Sequence, residues 1–94
     1  MDIEQVGVIG AGQMGNGIAH VFASAGYHVR LNDVSADALA AAQALIAKNM
    51  DRQVAKGTMT AEDRDAALGR ITTTLDLSEL GQSDLIIEAA TEKE

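Results

Sequence analysis

An α/β fold with a parallel sheet is predicted by three observations. Between Gln5 and Asp33 the chain reads as an apolar run (Val6, Val8, Ile9), a glycine-rich turn (Gly10-Ala11-Gly12-Gln13-Met14-Gly15), a helical pattern, a second apolar run and an acid. The strand-like runs are rich in β-branched residues and nearly continuous in apolar character, as in strands buried on both faces. Further on, helical and strand-like stretches keep alternating up to the apolar run Leu85-Ile86-Ile87. The order strand, glycine turn, helix, strand, carboxylate is that of a mononucleotide-binding βαβ unit of the Rossmann type.

The elements are justified in turn. Residues 3–9 form the first strand. From about residue 11 to 25, Met14, Ile18, Val21, Phe22 and Ala25 recur at three- and four-residue intervals and predict a helix. Gly26 follows where a left-handed helix-ending residue is wanted. His28 to Asn32 is the second strand, with Val29 and Leu31 on one side. Ser35 is placed to cap the next helix, and Asp37 in its first turn suits the helix dipole. Leu39, Ala42, Ile46, Met50 and Val54 give that helix an inward stripe, and Gly57 stops it. Thr60, with Asp63 three residues on, opens a short third helix in a capping-box-like arrangement that ends at Gly69. Ile71 to Leu75 is a third strand and Ser78 to Leu80 a single turn. Asp84 to Ala89 is a fourth strand, buried in character. The pattern βαβααββ is the first half of a doubly wound sheet, with spatial strand order 3-2-1-4. The second half of the sheet is not in the sequence. This predicts one domain at most, in a fragment of a longer protein, with the edge of the fourth strand unpaired and prone to self-association.

Composition narrows the function classes. The chain has 94 residues, a formal net charge of −7 and no basic cluster along the sequence, which disfavours nucleic acid and anionic membranes as partners. It has no cysteine, which excludes disulfides and Cys-based metal sites, and its two histidines, His20 and His28, cannot make a zinc constellation. The acidic start Met1-Asp2-Ile3-Glu4 is not a signal peptide, and no apolar run approaches the roughly 20 residues of a membrane span. A cytoplasmic address is the simplest expectation.

The glycine turn carries the chemistry. Gly10 permits a tight exit from the first strand, Gly12 lets the backbone approach a pyrophosphate, and Gly15 lets the helix pack close to the sheet. The helix N-terminus offers free N–H groups and a positive dipole to the phosphates, and Gly17 and Ala19 keep the helix slim. Asp33, 18 residues past Gly15, stands at the tip of the second strand. A carboxylate there accepts from the adenosine ribose hydroxyls and repels a 2′-phosphate, favouring NAD over NADP; no Arg follows to reverse that choice. FAD shares the fingerprint, although an Asp at this position is less typical of flavoproteins. A bare GxGxxG can be a chance glycine-rich turn, but here every flanking element is in place. The remaining candidates carry less. His20 and His28 read as packed or solvated side chains, Lys56 as a cation at a helix C-terminus, and Glu88 and Glu92 as acids at the sheet edge where cofactors bind. No catalytic set can be assembled.

Beyond these features, VGVIGAGQMGNGIAHVFASAGYHVRLNDVS, KNMDRQVAKG, ITTTLDL and DLIIEAATE occur in the order found in the 3-hydroxyacyl-CoA dehydrogenases. The chain resembles that family over essentially its whole length, with the bacterial 3-hydroxybutyryl-CoA enzymes as its nearest sense. The resemblance implies NAD-linked hydride transfer between a 3-hydroxyacyl-CoA and its 3-keto form. It implies that Gly10, Ala11, Gly12, Gln13, Met14 and Gly15 hold the pyrophosphate, Asp33 the ribose, and Ala89, Ala90 and Glu92 the same cleft. The helical hairpin after the second strand would reach the CoA moiety, with Lys56 matching a family lysine that contacts CoA and Asn49 standing where the family has a serine. The family's catalytic histidine and glutamate, and its dimerising helical domain, match nothing in these residues, so the parent is expected to be a homo-oligomeric enzyme and this chain inactive by itself. Three other readings stay open: a stand-alone NAD-binding or sensing module, a non-catalytic relative of the family kept for binding or structure, and a 3-hydroxyacid dehydrogenase related to 6-phosphogluconate dehydrogenase, which shares a GxGxMG turn but often has Asn-Arg where this chain has Asn32-Asp33.

Overall fold

A computed structural model describes residues 3–89. The first strand, β1, is Gln5–Ile9; helix α1 is Gln13–Ser24; β2 is His28–Asn32; α2 is Ala36–Lys56; α3 is Ala61–Gly69; β3 is Ile71–Thr74; a 3-10 helix spans Leu77–Gln82; and β4 is Leu85–Glu88. The four strands are parallel in the order β3-β2-β1-β4, the expected topology.

The inward stripe of α2 follows the sequence pattern. Leu39, Ala42, Ile46 and Met50 are buried against Val6, Val8, Val29, Leu31 and Ile71 of the sheet, and Val54 is half-buried. Both ends of α2 form as their residues dictate. The Ser35 hydroxyl accepts from Ala38 N–H at 3.1 Å, and Gly57 at φ +81° turns the chain out while Thr58 N–H reaches back to the Gln53 carbonyl. At the end of α1, Gly26 is likewise left-handed (φ +104°), Tyr27 N–H donates to the Phe22 carbonyl, and the two rings meet edge to face at 5.4 Å. Thr60 caps α3 by accepting from Asp63 N–H.

Three expectations are corrected. The first concerns the slim face of α1, which does not include Gly17. Gly15, Asn16, Ala19 and Ala23 are its buried positions, Ile18 and Phe22 are half-buried, and Met14 and Val21 are 55% and 65% exposed. The physical reason is close approach: the turn at Gly10 brings the helix so near the sheet that only its smallest residues fit between them. Gly17 plays no part, because it faces open space, whereas Ala19 is fully buried. Second, β4 is not a buried strand. It is hydrogen-bonded to β1 at the sheet edge, and Leu85 and Ile86 are 36% and 48% exposed, since among the described residues no helix covers it. Third, boundaries move: the first strand starts at Gln5, the third stops at Thr74, and the turn at 78–80 is the longer 3-10 helix. That helix rests on Gly7, where an added Cβ would lie 2.7 Å from Ser83 Oγ and 2.9 Å from Leu80 Cγ.

The end of α1 is also held from the C-cap of α3. Arg70 donates from Nε and Nη2 to the Ala23 carbonyl at 3.0 and 2.8 Å, supplying donors to a helix C-terminus that has no basic residue of its own. Removing it in Arg70→Ala is expected to cost about 1–2 kcal/mol, a fall in Tm of roughly 4–8 °C per kcal/mol. An unchanged thermal melt would show that water replaces the guanidinium without loss.

Candidate functional site

The carboxyl ends of β1, β2 and β4 converge on the glycine turn. Gly10 is left-handed (φ +101°), and its N–H donates to the Asn32 carbonyl at 2.7 Å, tying the turn to the end of β2. Gly12 is the N-cap of α1, in extended conformation and with no side chain capping the helix; the first turn carries no acidic residue. The N-terminal N–H groups of a twelve-residue helix therefore point out of the sheet edge without an internal side-chain acceptor. Gly15 is enforced by contact. A Cβ built there would sit 1.7 Å from the Gly10 carbonyl oxygen and 3.7 Å from the Ala89 Cβ. Ala89 is buried, and its N–H donates to the Ile9 carbonyl at 2.7 Å, which places it beside the turn. Gln13 and Met14 are exposed on the first turn of α1. Ala90 and Glu92 lie outside the described residues.

Asp33 does more than stand at the tip of β2. Its Oδ2 accepts from Ala11 N–H at 2.8 Å and its Oδ1 from Ser35 N–H at 2.9 Å. One carboxylate thus binds the glycine turn to the start of the segment leading into α2. The Ala11 N–H, then the Ser35 and Val34 N–H groups, hold this carboxyl below the usual aspartate range against a smaller opposing effect of burial. Each carboxylate oxygen retains acceptor capacity for a ligand hydroxyl.

A cleft of about 460 Å³ runs from the turn along α2. Ala11, Gly12, Gln13 and Asn16 form one wall and Ala38, Ala41, Ala42 and Leu45 the other. Asn49 is half-buried and Lys56 exposed further along α2. Residues 38, 41, 45, 49, 52 and 56 recur every three or four positions, so they share one face of the helix. Lys56 stands about 27 Å along the axis from Ala38, so it is not part of the cluster at the turn.

The weaker candidates resolve as structure. His20 Nε2 lies 2.8 Å from Gln53 Oε1 and pins α1 to α2. His28 opens β2, at the opposite end of the strand from the turn, and is exposed. Glu88 closes β4 and is exposed. Among the described residues no group of three His, Asp or Glu side chains could hold a metal ion. Sequence reasoning missed Asn16, a buried polar position on the cleft wall, and the bond from Asp33 to Ala11. An asparagine on the small-residue face of α1 was a visible signal for the first; nothing local signalled the second, which joins residues 22 apart.

The site fits a dinucleotide by its own geometry: a turn that a Cβ would fill, an uncapped helix N-terminus and a carboxylate fixed beside it. A family model for the NAD binding domain of 3-hydroxyacyl-CoA dehydrogenase matches residues 5–94. The chain belongs to this family. NAD is the cofactor of the family's domain, as the fingerprint and Asp33 predict. Among relatives, a 3-hydroxybutyryl-CoA dehydrogenase of Bradyrhizobium diazoefficiens is 56% identical over 92 residues, covering 98% of this chain and 31% of that protein. One of Mycobacterium tuberculosis is 45% identical over 92 residues, covering 98% and 32%. A crystal structure of 3-hydroxybutyryl-CoA dehydrogenase from Escherichia coli superposes with a TM-score of 0.94 at 42% identity, over 99% of this chain and 20% of that one. The chain therefore spans about a third or less of the length of these 3-hydroxyacyl-CoA dehydrogenase relatives. No helix of the described residues is long and apolar enough to cross a membrane.

Proposed function

We propose that this chain is the cofactor-holding part of an enzyme that interconverts a 3-hydroxyacyl-CoA, 3-hydroxybutyryl-CoA foremost, and its 3-keto form. The observation that carries the reading is the meeting of the glycine turn, the Asp33 carboxylate and the α2 cleft at one sheet edge, in a chain of this family. The residues from Gly10 to Gly15 take the pyrophosphate against the helix N-terminus. Asp33 accepts from the adenosine ribose and Ala89 lines the cofactor cleft, and the family resemblance assigns Ala90 and Glu92, outside the described residues, to the same cofactor. Asn49 and Lys56 serve the CoA substrate along α2. NAD supplies the hydride acceptor when bound. The hydride leaves C3 of the substrate, and the hydroxyl proton must go to a base. Asp33, held ionised by backbone N–H groups at the far end of the cofactor from the reacting carbon, is not that base. The chain alone is expected to bind NAD and to form no NADH from 3-hydroxybutyryl-CoA. Turnover by the chain alone would refute the inactivity. Failure of the enclosing protein to reduce NAD with any 3-hydroxyacyl-CoA would refute the function.

A further inference from the structure

We propose that Asn16 is a further cofactor-binding residue, whose side-chain amide donates to the diphosphate of NAD and fixes it on the glycine turn. The inference rests on the reading that the diphosphate lies on Gly10–Gly15, and it gives a ligand to a buried side chain that the fold leaves unpaired.

The buried polar residues among those described are Asn16, Asn32 and Thr74. Two of them are paired within the protein. Asn32 Nδ2 donates to the Thr74 carbonyl at 3.2 Å, and Thr74 Oγ1 accepts from Asp76 N–H at 3.0 Å. Asn16 differs. Its backbone N–H closes the first turn of α1 by donating to the Gly12 carbonyl at 2.9 Å, but its side-chain amide has no partner among the described residues. The residue is only 8% exposed. Yet among the described residues no side-chain nitrogen or oxygen is both sealed from solvent and unpaired. The Asn16 amide therefore keeps an opening, and that opening is the cleft whose wall it forms with Ala11, Gly12 and Gln13. Burying an amide without a partner is unfavourable, and a ligand that pairs it removes the penalty.

Direction and charge identify the group. Side chains of a helix tilt toward its N-terminus, so Asn16 covers the turn before it, over Gly12 and Gln13. Gly12 is the N-cap of α1, and no side chain caps the N–H groups there. The amide thus stands over the same donors that take the diphosphate. None of the residues lining the cleft is cationic, and α1 carries no Lys or Arg. An anion at this end must be held by neutral donors. Asn16 Nδ2 brings two N–H groups, and a bond from either to a phosphate oxygen is charge-assisted. The opposite wall, Ala38, Ala41, Ala42 and Leu45, offers no polar side chain, so the polar atoms of a ligand are met from the α1 side. An aspartate of nearly the same size would set a like charge against the phosphates, so the position suits the amide and not the acid.

The test is an NMR titration of the isotopically labelled chain with NAD, ADP, adenosine and pantetheine, following the side-chain NH2 pair of Asn16 together with the backbone amides. NAD and ADP, which carry the diphosphate, are expected to move that pair and the amides of residues 10 to 15. Adenosine and pantetheine are expected to leave the pair in place. Asn16→Ala is expected to weaken NAD and ADP about tenfold and adenosine not at all, and Asn16→Asp to weaken NAD and ADP further still. Circular dichroism melts report whether the variants remain folded. ADP moving residues 10 to 15 while the Asn16 pair stays silent would overturn the assignment but leave the turn as the diphosphate site. Movement of the pair with pantetheine and not with ADP would overturn it in favour of the substrate. A folded Asn16→Ala that loses adenosine and ADP equally, or a folded Asn16→Asp that binds NAD as the parent does, would also overturn it. NAD and ADP moving neither the pair nor residues 10 to 15 would remove both readings.

Discussion

Replacing Gly15 with alanine is expected to weaken NAD binding more than tenfold and to lower the melting temperature. The added Cβ would lie 1.7 Å from the Gly10 carbonyl oxygen, about half an ordinary van der Waals contact, and that oxygen is backbone and cannot rotate away. Helix α1 has to retreat from the sheet, opening the packing of Ala19 and Ala23, both fully buried, and moving the N–H groups proposed to hold the pyrophosphate. Overpacking of this kind costs about 1–3 kcal/mol, which in a domain of this size lowers Tm by roughly 4–8 °C per kcal/mol. The loss of affinity is expected to exceed tenfold even where the variant remains folded, because the misplaced groups are the binding groups. Gly17→Ala is the matched control two residues on. Gly17 faces open space within the same helix, so alanine there is expected to stabilise by about 0.5–1 kcal/mol and leave NAD affinity intact. Equal behaviour of the two variants would show that close packing at Gly15 is not what the site requires.

Replacing Asp33 with alanine removes two things at once. It deletes the acceptor for the ribose hydroxyls, and it frees the Ala11 and Ser35 N–H groups that fix the turn against the start of α2. NAD is expected to weaken at least tenfold. NADP loses the same turn geometry but is relieved of a carboxylate facing its 2′-phosphate, so its affinity changes little and the preference for NAD collapses. A parallel loss for both cofactors would mean that Asp33 acts through the turn alone. The same carboxylate gives a pH dependence of defined sign. Its folded value lies below the usual aspartate range, so its contribution to stability is complete above the unfolded value and is lost as pH falls through the folded one. Cofactor affinity is therefore expected to hold from neutral pH down to about pH 4 and to fall below it. Asp33→Ala should show no such fall.

The parts legible in the sequence were those governed by local rules. Alternating apolar runs, the caps at Ser35 and Thr60 and the stops at Gly26 and Gly57 each depend on residues within one turn of one another, and each forms as read. The strand order followed from right-handed crossovers between parallel strands, and the glycine turn from a spacing that few structures other than a phosphate-binding turn demand. What was not legible depended on how elements meet. The face of α1 was legible only in part: Gly15 and Ala19 are buried as read, but Gly17, assigned to the same slim face, meets open space because proximity to Gly10 selects Gly15, Ala19 and Ala23. The apolar run of β4 was read correctly as a strand, but its burial depends on what lies beside it, which a run of Leu85-Ile86-Ile87 does not encode. The bond from Asp33 to Ala11 is a tertiary event, and it gives the acid proposed to take the ribose a second task, holding the turn.

The central claim is that NAD is held at the edge where Gly10–Gly15 and Asp33 meet. Its most direct test is a titration of NAD into the labelled chain with every backbone amide observed. The largest shifts are expected at residues 10 to 15 and 33 to 35, with the Ala11 amide moving as its bond to Asp33 adjusts to the ribose. Shifts centred instead on His28 and Arg70 at the opposite end of the strands, or no shift at saturating NAD, would contradict it.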